Sequence, residues 1–282
     1  VARETRHHQP QSSSMDVLVT GAASGLGRAV AAHFGGMQLN RGEFHSFNRT
    51  HAHKHFDAIV HCAFNSSKDV SAASAATYVN DNLFLTQDLL GLDCSKFIYI
   101  SSQDVYPASV GIRREDVDFD LAGLRGAYPF TKLFSEVAVQ SRSRNFLICR
   151  PTTFLGSHMR PNTTSRLLTQ RSPRLFLSAQ SRFNYVLHRD VVSFIDIALQ
   201  RDLTGIYNIA SRGTVSLADI CEDLGLSPAF GDYVYDIGNV DNAKAAEYCP
   251  SFSKSAADVL NEYIDSLGDA FVGAGRVADR ER

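Results

Sequence analysis

Residues 15–27 read MDVLVTGAASGLG, and the fold turns on this stretch. The apolar run 15–20 has the composition of a buried strand and ends in a glycine cluster, the mark of a tight turn. From Gly25 the spacing becomes helical, with Leu26, Val30 and Phe34 on one face. In such a strand–turn–helix unit each glycine has its own task. Gly21 takes the backbone angles of the turn. Gly25 lets a pyrophosphate approach the backbone and the helix N-terminus, and Gly27 lets the helix pack on the strand.

The alternation continues outward. Strands are predicted at 43–47, 58–62, 96–101 (KFIYIS) and 145–149 (NFLIC), and helices at 78–90 and 129–139. Strand alternating with helix predicts an α/β domain whose doubly wound parallel sheet is covered on both faces. After residue 150 the pattern loosens. Helices are predicted at 165–170, 190–200, 217–224 and 254–267, with strand-like runs at 175–177 and 206–209. The stripe of Leu217, Ile220 and Leu224 belongs to a core.

With 282 residues, 44% hydrophobic and 21% charged, the chain can build one large α/β domain and an appended lobe. A net charge of −2 argues against a broad nucleic-acid or membrane-surface footprint, and no apolar run reaches membrane-spanning length. The five cysteines, Cys62, Cys94, Cys149, Cys221 and Cys249, are odd in number and widely spaced. Cys62 and Cys149 lie in apolar strand-like runs, as buried free thiols of a reducing compartment do, so a cytoplasmic location is expected. Residues 1–14 and 269–282 carry few apolar anchors and are expected to be a disordered and a frayed tail.

Tyr128-Pro-Phe-Thr-Lys132 sets a phenol and an ammonium one helical turn apart on one face. A free tyrosine titrates at about 10, too high for a base at neutrality, and a neighbouring cation favours the phenolate. The pair can then exchange a proton with a substrate hydroxyl or carbonyl, and the lysine can also bond a nicotinamide ribose. An isolated match of this kind is common by chance. Here the strand at 96–101 runs into Ser102, Gln103 and Asp104. A serine at the C-terminal end of a parallel strand projects into the crevice where doubly wound sheets bind ligands. Ser102 is placed to orient a reacting oxygen towards Tyr128, whereas Ser101 reads as a structural hydroxyl.

Further motifs stand in order along the chain: Asp57-Ala-Ile-Val-His61-Cys62-Ala63, Asn82-Leu-Phe-Leu-Thr86, residues 128–136 (YPFTKLFSE) and Arg150-Pro151-Thr152-Thr153-Phe154-Leu155-Gly156. Val186-Leu-His188-Arg-Asp190-Val191 and Gly205-Ile-Tyr-Asn208 follow. With the threonine-led glycine turn they resemble the extended branch of the short-chain dehydrogenase/reductase superfamily, the NAD-dependent epimerase/dehydratase family, over nearly all of residues 15–267. The resemblance implies a Rossmann-type NAD(P)-binding domain over 15–150, with 190–212 returning to it. It also implies a small C-terminal substrate-binding lobe from 151–189 and 213–268. Ser102, Tyr128 and Lys132 are the implied catalytic set. Cofactor contacts are implied at Gly21, Ser24, Gly25, Leu26 and Gly27, at Cys62, Ala63 and Phe64, and at Asn82, Tyr128, Lys132, Pro151 and Thr152. Substrate contacts are implied at Gln103, Thr153 and Arg182, a structural role at His188, and a homodimer through a two-helix face.

The chain departs from the family where its second strand should end in an acid that grips the adenosine ribose. The stretch there is Phe47-Asn48-Arg49. An aspartate would repel a 2′-phosphate, whereas Asn48 with Arg49 can accept one, so NADP is expected in preference to NAD. Only residues 49–56 separate Arg49 from Asp57, so the helix, strand and Gly-Asp adenine contact of a typical member are lost. The adenine pocket must therefore differ. His51, His53 and His55 in this link would share a face if it were extended. No Cys, Asp or Glu stands at a partner spacing, and no metal site is expected.

The implied catalytic set serves several reactions on nucleotide-linked sugars. Dehydratases of the family carry an acid and a glutamate base directly after the catalytic Ser or Thr, where this chain has Gln103 and Asp104. Gln103 has no carboxyl proton to donate, which argues against 4,6-dehydration. The compact lobe resembles reductases and epimerases of surface-polysaccharide pathways. The expected reaction is thus oxidation or reduction at a sugar carbon, C4 first, by an epimerase or 4-keto reductase with Tyr128 as acid/base. Arg160, Arg166, Arg171, Arg174 and, foremost, Arg182 are candidates for a substrate diphosphate. Two alternatives stay open: a reductase of a non-sugar carbonyl, and a non-catalytic NADP-binding sensor on the same fold.

Overall fold

The computed structural model describes residues 15–40, 42–67 and 69–271, so the tail expected over 1–14 and most of the one over 269–282 lie outside it. Val17–Thr20 (β1) is buried along its whole length, and the chain leaves it through Gly21 at φ +72° into α1, Gly25–Phe34. Then follow β2 (Met37–Leu39), α2 (Phe44–His51), β3 (His55–His61) and α3 (Ala72–Val79). A π-helical turn, Asn80–Phe84, joins α3 to α4 (Leu85–Leu89), and β4 spans Asp93–Ile100. After a two-residue β5 (Ile112–Arg113) come α5 (Ala127–Arg142), β6 (Phe146–Pro151), β7 (Thr153–Leu155) and α6 (Thr163–Thr169). The last elements that concern the site are β8 (Arg182–Phe183), β9 (Tyr185–Leu187), α7 (His188–Gln200) and β10 (Gly205–Ile209).

Six parallel strands form the main sheet in the order β2-β1-β3-β4-β6-β10. Alternate residues of β1 serve opposite faces, as the period of a strand demands. Val17 and Val19 pack with Leu26 and Val30 of α1 and Ile195 of α7, while Leu18 packs with Phe47 of α2, Leu89 of α4 and Val139 of α5. The chain runs from β1 outward to β2 and then returns across β1 to β3. That reversal opens a crevice above the C-terminal ends of β1 and β3, the place where such sheets bind ligands. A separate apolar cluster, including Leu167, Tyr185, Leu217, Ile220 and Tyr263, is the core of the lobe beside the sheet.

The second strand lies earlier in the chain than its sequence pattern suggests, and the run 175–177 makes only isolated bridges. Residues 43–47 begin helix α2, and the second strand is Met37–Leu39. Gly35 closes α1 in the left-handed conformation, and a Cβ on Gly36 would stand 2.2 Å from the Val17 carbonyl oxygen. The chain therefore hugs β1 and pairs with it at once. Phe44, Phe47 and His51 then follow helical spacing, with Phe47 stacked on His51 at 4.5 Å and on Phe56 at 6.3 Å. Only α2 lies between β2 and β3, so β2 is the edge of the sheet. Among the described residues no helix is long and apolar enough to cross a membrane.

Candidate active site

The crevice is a cleft of about 1110 Å³ that runs from the glycine turn to Tyr128 and Lys132. The turn is packed as its glycines require. A Cβ on Gly27 would stand 2.3 Å from the Gly21 carbonyl oxygen, and one on Gly21 2.8 Å from the Ala63 nitrogen. Gly25, at φ +56°, has nothing within 4 Å of that position, so the side of the turn that a Cβ would fill is open. Its N–H donates to the His158 carbonyl at 2.8 Å. On the same segment, Arg160 donates to the Ser66 hydroxyl and, at 3.3 Å, to the Phe64 carbonyl. Residues 156–162 therefore cross the mouth of the cleft.

A chain of hydrogen bonds aligns the strand ends beneath. The Thr86 hydroxyl donates to the Asn82 carbonyl at 2.6 Å, so its oxygen accepts from His61 Nε2–H at 3.0 Å. His61 Nδ1 must then accept the Thr20 hydroxyl proton at 2.7 Å, which leaves the Thr20 oxygen to accept the Ala63 N–H at 3.1 Å. Burial, aided by the charge of Lys132, lowers the His61 pKa to about 3, and burial lowers that of His188 to about 4. Both rings are neutral in the fold, so the unfolded chain takes up these protons first. The stability they confer is complete above pH 6.5 and is lost as the pH falls towards 4 and 3. The thermal midpoint is expected to drop steeply from pH 6.5 to 4, and His61→Gln to flatten that slope. An unchanged slope in the variant would show that the ring is not held neutral.

Tyr128 and Lys132 occupy the first two turns of α5. Lys132 Nζ donates to the Ile100 carbonyl at 2.7 Å and lies 4.0 Å from the centre of the Phe64 ring and 5.0 Å from that of Tyr99. Burial lowers its pKa to about 7, against the opposing pull of the Cys62 and Glu136 side chains. Tyr128 meets Phe64 edge-on at 5.1 Å and lies near Ser102, whose hydroxyl accepts the Asp104 N–H at 3.1 Å. Burial and then the Asp104 carboxylate raise the Tyr128 pKa, while the Ser102 hydroxyl and Arg160 oppose the rise. The sequence suggests Lys132 as the cation that favours phenolate, and Arg160 is a further cation whose field reaches the phenol. No spacing rule marks Arg160 or Asp104 as neighbours of Tyr128, because separate loops bring them there.

A buried ion pair fixes this arrangement. Arg150 donates to Glu136 from Nε to Oε1 at 3.0 Å and Oε2 at 3.2 Å and from Nη2 to Oε2 at 2.7 Å, and its Nη1 donates to the Tyr106 hydroxyl at 2.6 Å. Glu136 lies one turn beyond Lys132 on α5, so the pair locks the Tyr128 helix to β6 and to the segment that carries Ser102.

Of the other residues singled out in the sequence, Ser24, Leu26, Cys62, Ala63 and Phe64 line the cleft. Asn82 stands behind its wall, where its amide pairs with the backbone of Asn65 at 2.7 and 3.0 Å. Pro151 is buried in β6, and Thr152 bonds Asn184 at 2.8 Å. Gln103 is turned into the core, where its amide donates to the Arg150 carbonyl at 2.6 Å and to Asn208 at 2.8 Å. Thr153 pairs with Tyr185 in β7, and Arg182 is held at the surface by Thr214 at 3.0 Å, so neither lines the cleft. Asn48 and Arg49 are exposed on α2 and do not line it either. Asn40, just beyond β2, stands at the strand end instead, with His45 beside it. Among the described residues no group of three or more His, Cys, Asp or Glu is placed to hold a metal. His51 bonds the Phe47 carbonyl at 3.0 Å, and His55 pairs with Asp93 at 3.0 Å.

The model of the NAD dependent epimerase/dehydratase family matches residues 17–210. No curated protein matches the chain in sequence. The solved UDP-glucuronic acid 4-epimerase from Bacillus cereus, in complex with UDP-glucuronic acid and NAD, is similar with a TM-score of 0.68 at 20% identity, covering 90% of this chain and 100% of that one. RMD from Pseudomonas aeruginosa, complexed with NADPH, gives 0.67 at 18% identity over 88% of this chain and 99% of that one. TunA, an NAD-dependent NDP-hexosamine 5,6-dehydratase involved in tunicamycin biosynthesis, gives 0.71 at 18% over 89% and 98%. At these identities the likeness is one of fold.

Proposed function

The chain belongs to the NAD dependent epimerase/dehydratase family, and from that premise we propose an NAD(P)-dependent oxidoreductase acting on a nucleotide-linked sugar, of epimerase or 4-keto reductase type. The observation that carries this reading is the single cleft shared by the glycine turn, Ser101, Tyr128 and Lys132, with Ser102 close enough to the phenol to influence it. Similar structures hold UDP-glucuronic acid with NAD, or NADPH, which supports the same chemistry. A bound nicotinamide dinucleotide supplies or removes the hydride. The turn at Gly25, which carries no side chain, fits its pyrophosphate once the His158 carbonyl releases the amide.

Tyr128, kept protonated by its burial, donates its proton to the oxygen of a carbonyl under reduction and must lose it before it can serve the reverse step. Ser102 holds that oxygen in line, and Lys132 exchanges the Ile100 carbonyl for ribose hydroxyls. A cytoplasmic homodimer belongs to the same proposal; exposed Phe134 and Val137 on α5 are apolar enough to support such a contact. The direct test is a thermal-shift screen of nucleotide sugars with NADP or NAD present, since a ligand that binds the native state raises its melting point. No shift with any dinucleotide would remove the reading.

NADP is the proposed preference, supported by the amide of Asn40 at the strand end. The Glu43 carboxylate is turned to accept the Asn40 backbone N–H at 3.1 Å and does not line the cleft. Asn40→Asp is expected to weaken NADP binding roughly ten-fold or more and to spare NAD, because a carboxylate repels the 2′-phosphate. Arg49→Ala should leave the NADP to NAD ratio unchanged. Fluorescence titration of both reduced cofactors checks the pair.

One observation favours a second reading, elimination of water: the Asp104 carboxylate lies close enough to Tyr128 to influence it, although neither Asp104 nor Gln103 lines the cleft. The expected outcome is that no 4-keto-6-deoxy product forms from UDP-glucose or dTDP-glucose. Its detection by mass spectrometry would make the enzyme a dehydratase.

A further inference from the structure

The Gly25 N–H is committed to the His158 carbonyl at 2.8 Å, so a pyrophosphate gains that amide only by displacing the chain's own oxygen. The segment that must move is clamped further along by Arg160, which donates to the Ser66 hydroxyl and the Phe64 carbonyl. A dinucleotide therefore stays only while residues 156–162 are open, and their closure favours its departure. On the far side of the turn the cleft is walled by Asn40, Phe44 and His45, because among the described residues only α2 lies between β2 and β3. The cleft is built to let a dinucleotide come and go.

That property separates two reactions. An epimerase removes a hydride and returns it within one turnover, so its dinucleotide has no need to leave. A reductase gives its hydride away and must exchange the oxidised dinucleotide for a reduced one. The reacting centre has the matching form. Tyr128 stands near the Asp104 carboxylate, the Tyr78 phenol and the Arg160 guanidinium, with Lys132 one turn along its own helix. Burial and the carboxylate keep the phenol protonated, ready to give a proton to a carbonyl oxygen. We propose that the chain is a net reductase, in which the dinucleotide is a co-substrate and the sugar arrives as a ketone. The carbonyl carbon takes a hydride from the reduced dinucleotide. The carbonyl π pair moves to oxygen and takes the Tyr128 proton, and the phenolate recovers a proton from water. One ketone, one reduced dinucleotide and one proton give one alcohol and one oxidised dinucleotide. The reaction that supplies this substrate must leave a carbonyl on a nucleotide-linked sugar, by oxidising a hydroxyl or by eliminating water.

This deepens the oxidoreductase reading and rests on it, and the test separates the two. The purified full chain is denatured and the nucleotides it releases are counted by chromatography. Fewer than about one dinucleotide per ten chains is expected, because the His158 carbonyl competes for the amide. NADPH should still bind wild type in a fluorescence titration. Ser66→Ala, which frees Arg160 without removing a charge, should bind it about two-fold tighter or better. The 4-keto-6-deoxy forms of UDP-glucose, dTDP-glucose and GDP-mannose then serve as ketone probes, with NADPH and NADH followed by absorbance. At least one ketone is expected to consume one reduced dinucleotide per alcohol formed. Unchanged affinity in Ser66→Ala removes the competition on which the proposal stands. A full complement of dinucleotide in the purified chain overturns it. So does C4 epimerisation of UDP-glucose or UDP-glucuronic acid with no dinucleotide added, or no consumption with any ketone. Each of these leaves the oxidoreductase reading in place, whereas a wild type that binds no dinucleotide brings down both.

Discussion

Tyr128→Phe is expected to slow hydride transfer by roughly 10²-fold or more while folding and dinucleotide binding survive. The substitution removes one hydroxyl and keeps the ring that meets Phe64 edge-on. What is lost is the proton at the reacting oxygen, beside which Ser102 stands. Ser102→Ala should cost less, since it leaves that proton in place. Stopped-flow absorbance of the reduced cofactor, with the sugar found by the thermal-shift screen, measures the step itself. Near-normal transfer in Tyr128→Phe would leave the non-catalytic sensor as the better account of the fold.

Replacing Lys132 by Met should damage turnover and cofactor binding together, and it should also change stability in a direction that looks paradoxical. Burial lowers the lysine from 10.5 to about 7 in the fold. Between pH 7 and 10.5 the unfolded chain therefore holds more protons than the native one, and stability rises with pH through that window. Below 7 the full cost of a buried ammonium is present. Lys132→Met removes that cost but leaves the Ile100 carbonyl without its donor. The empty variant is expected to melt higher than wild type at pH 6–7 and to show a flatter climb towards pH 9, while its turnover is abolished. Equal pH slopes in the two proteins would show that no buried charge is relieved. A residue that destabilises the empty fold and serves the reaction is how an active site trades stability for function.

The β-strand and glycine pattern around β1 was legible because a buried strand, a tight turn and a helix each leave a local signature. The helix that carries Tyr128 and Lys132 was legible for the same reason: both residues sit on one face within a single turn. Residues 43–47 were misread because a short aromatic stretch suits a strand or a helix, and tertiary contact with Phe56 decided between them. With that slip the strand end moved from Asn48 to Asn40. Gln103 and Arg160 were hidden for another reason. Nothing in a sequence tells which way a side chain leaves a loop, and here Arg150 and Asn208 draw Gln103 inward while Ser66 and Phe64 hold Arg160 over the cleft.

The bond from Gly25 to the His158 carbonyl makes affinity a matter of populations. A dinucleotide that needs this amide binds only the fraction of molecules in which residues 156–162 have let it go. A segment seated nine times in ten weakens the apparent affinity about ten-fold. The same segment carries Arg160 to the edge of the reacting centre. Whichever ligand first draws it away from Gly25 leaves less work for the other, and by reciprocity each tightens the other by the same factor. Coenzyme and sugar would then cooperate without touching, through a stretch of backbone that belongs wholly to neither.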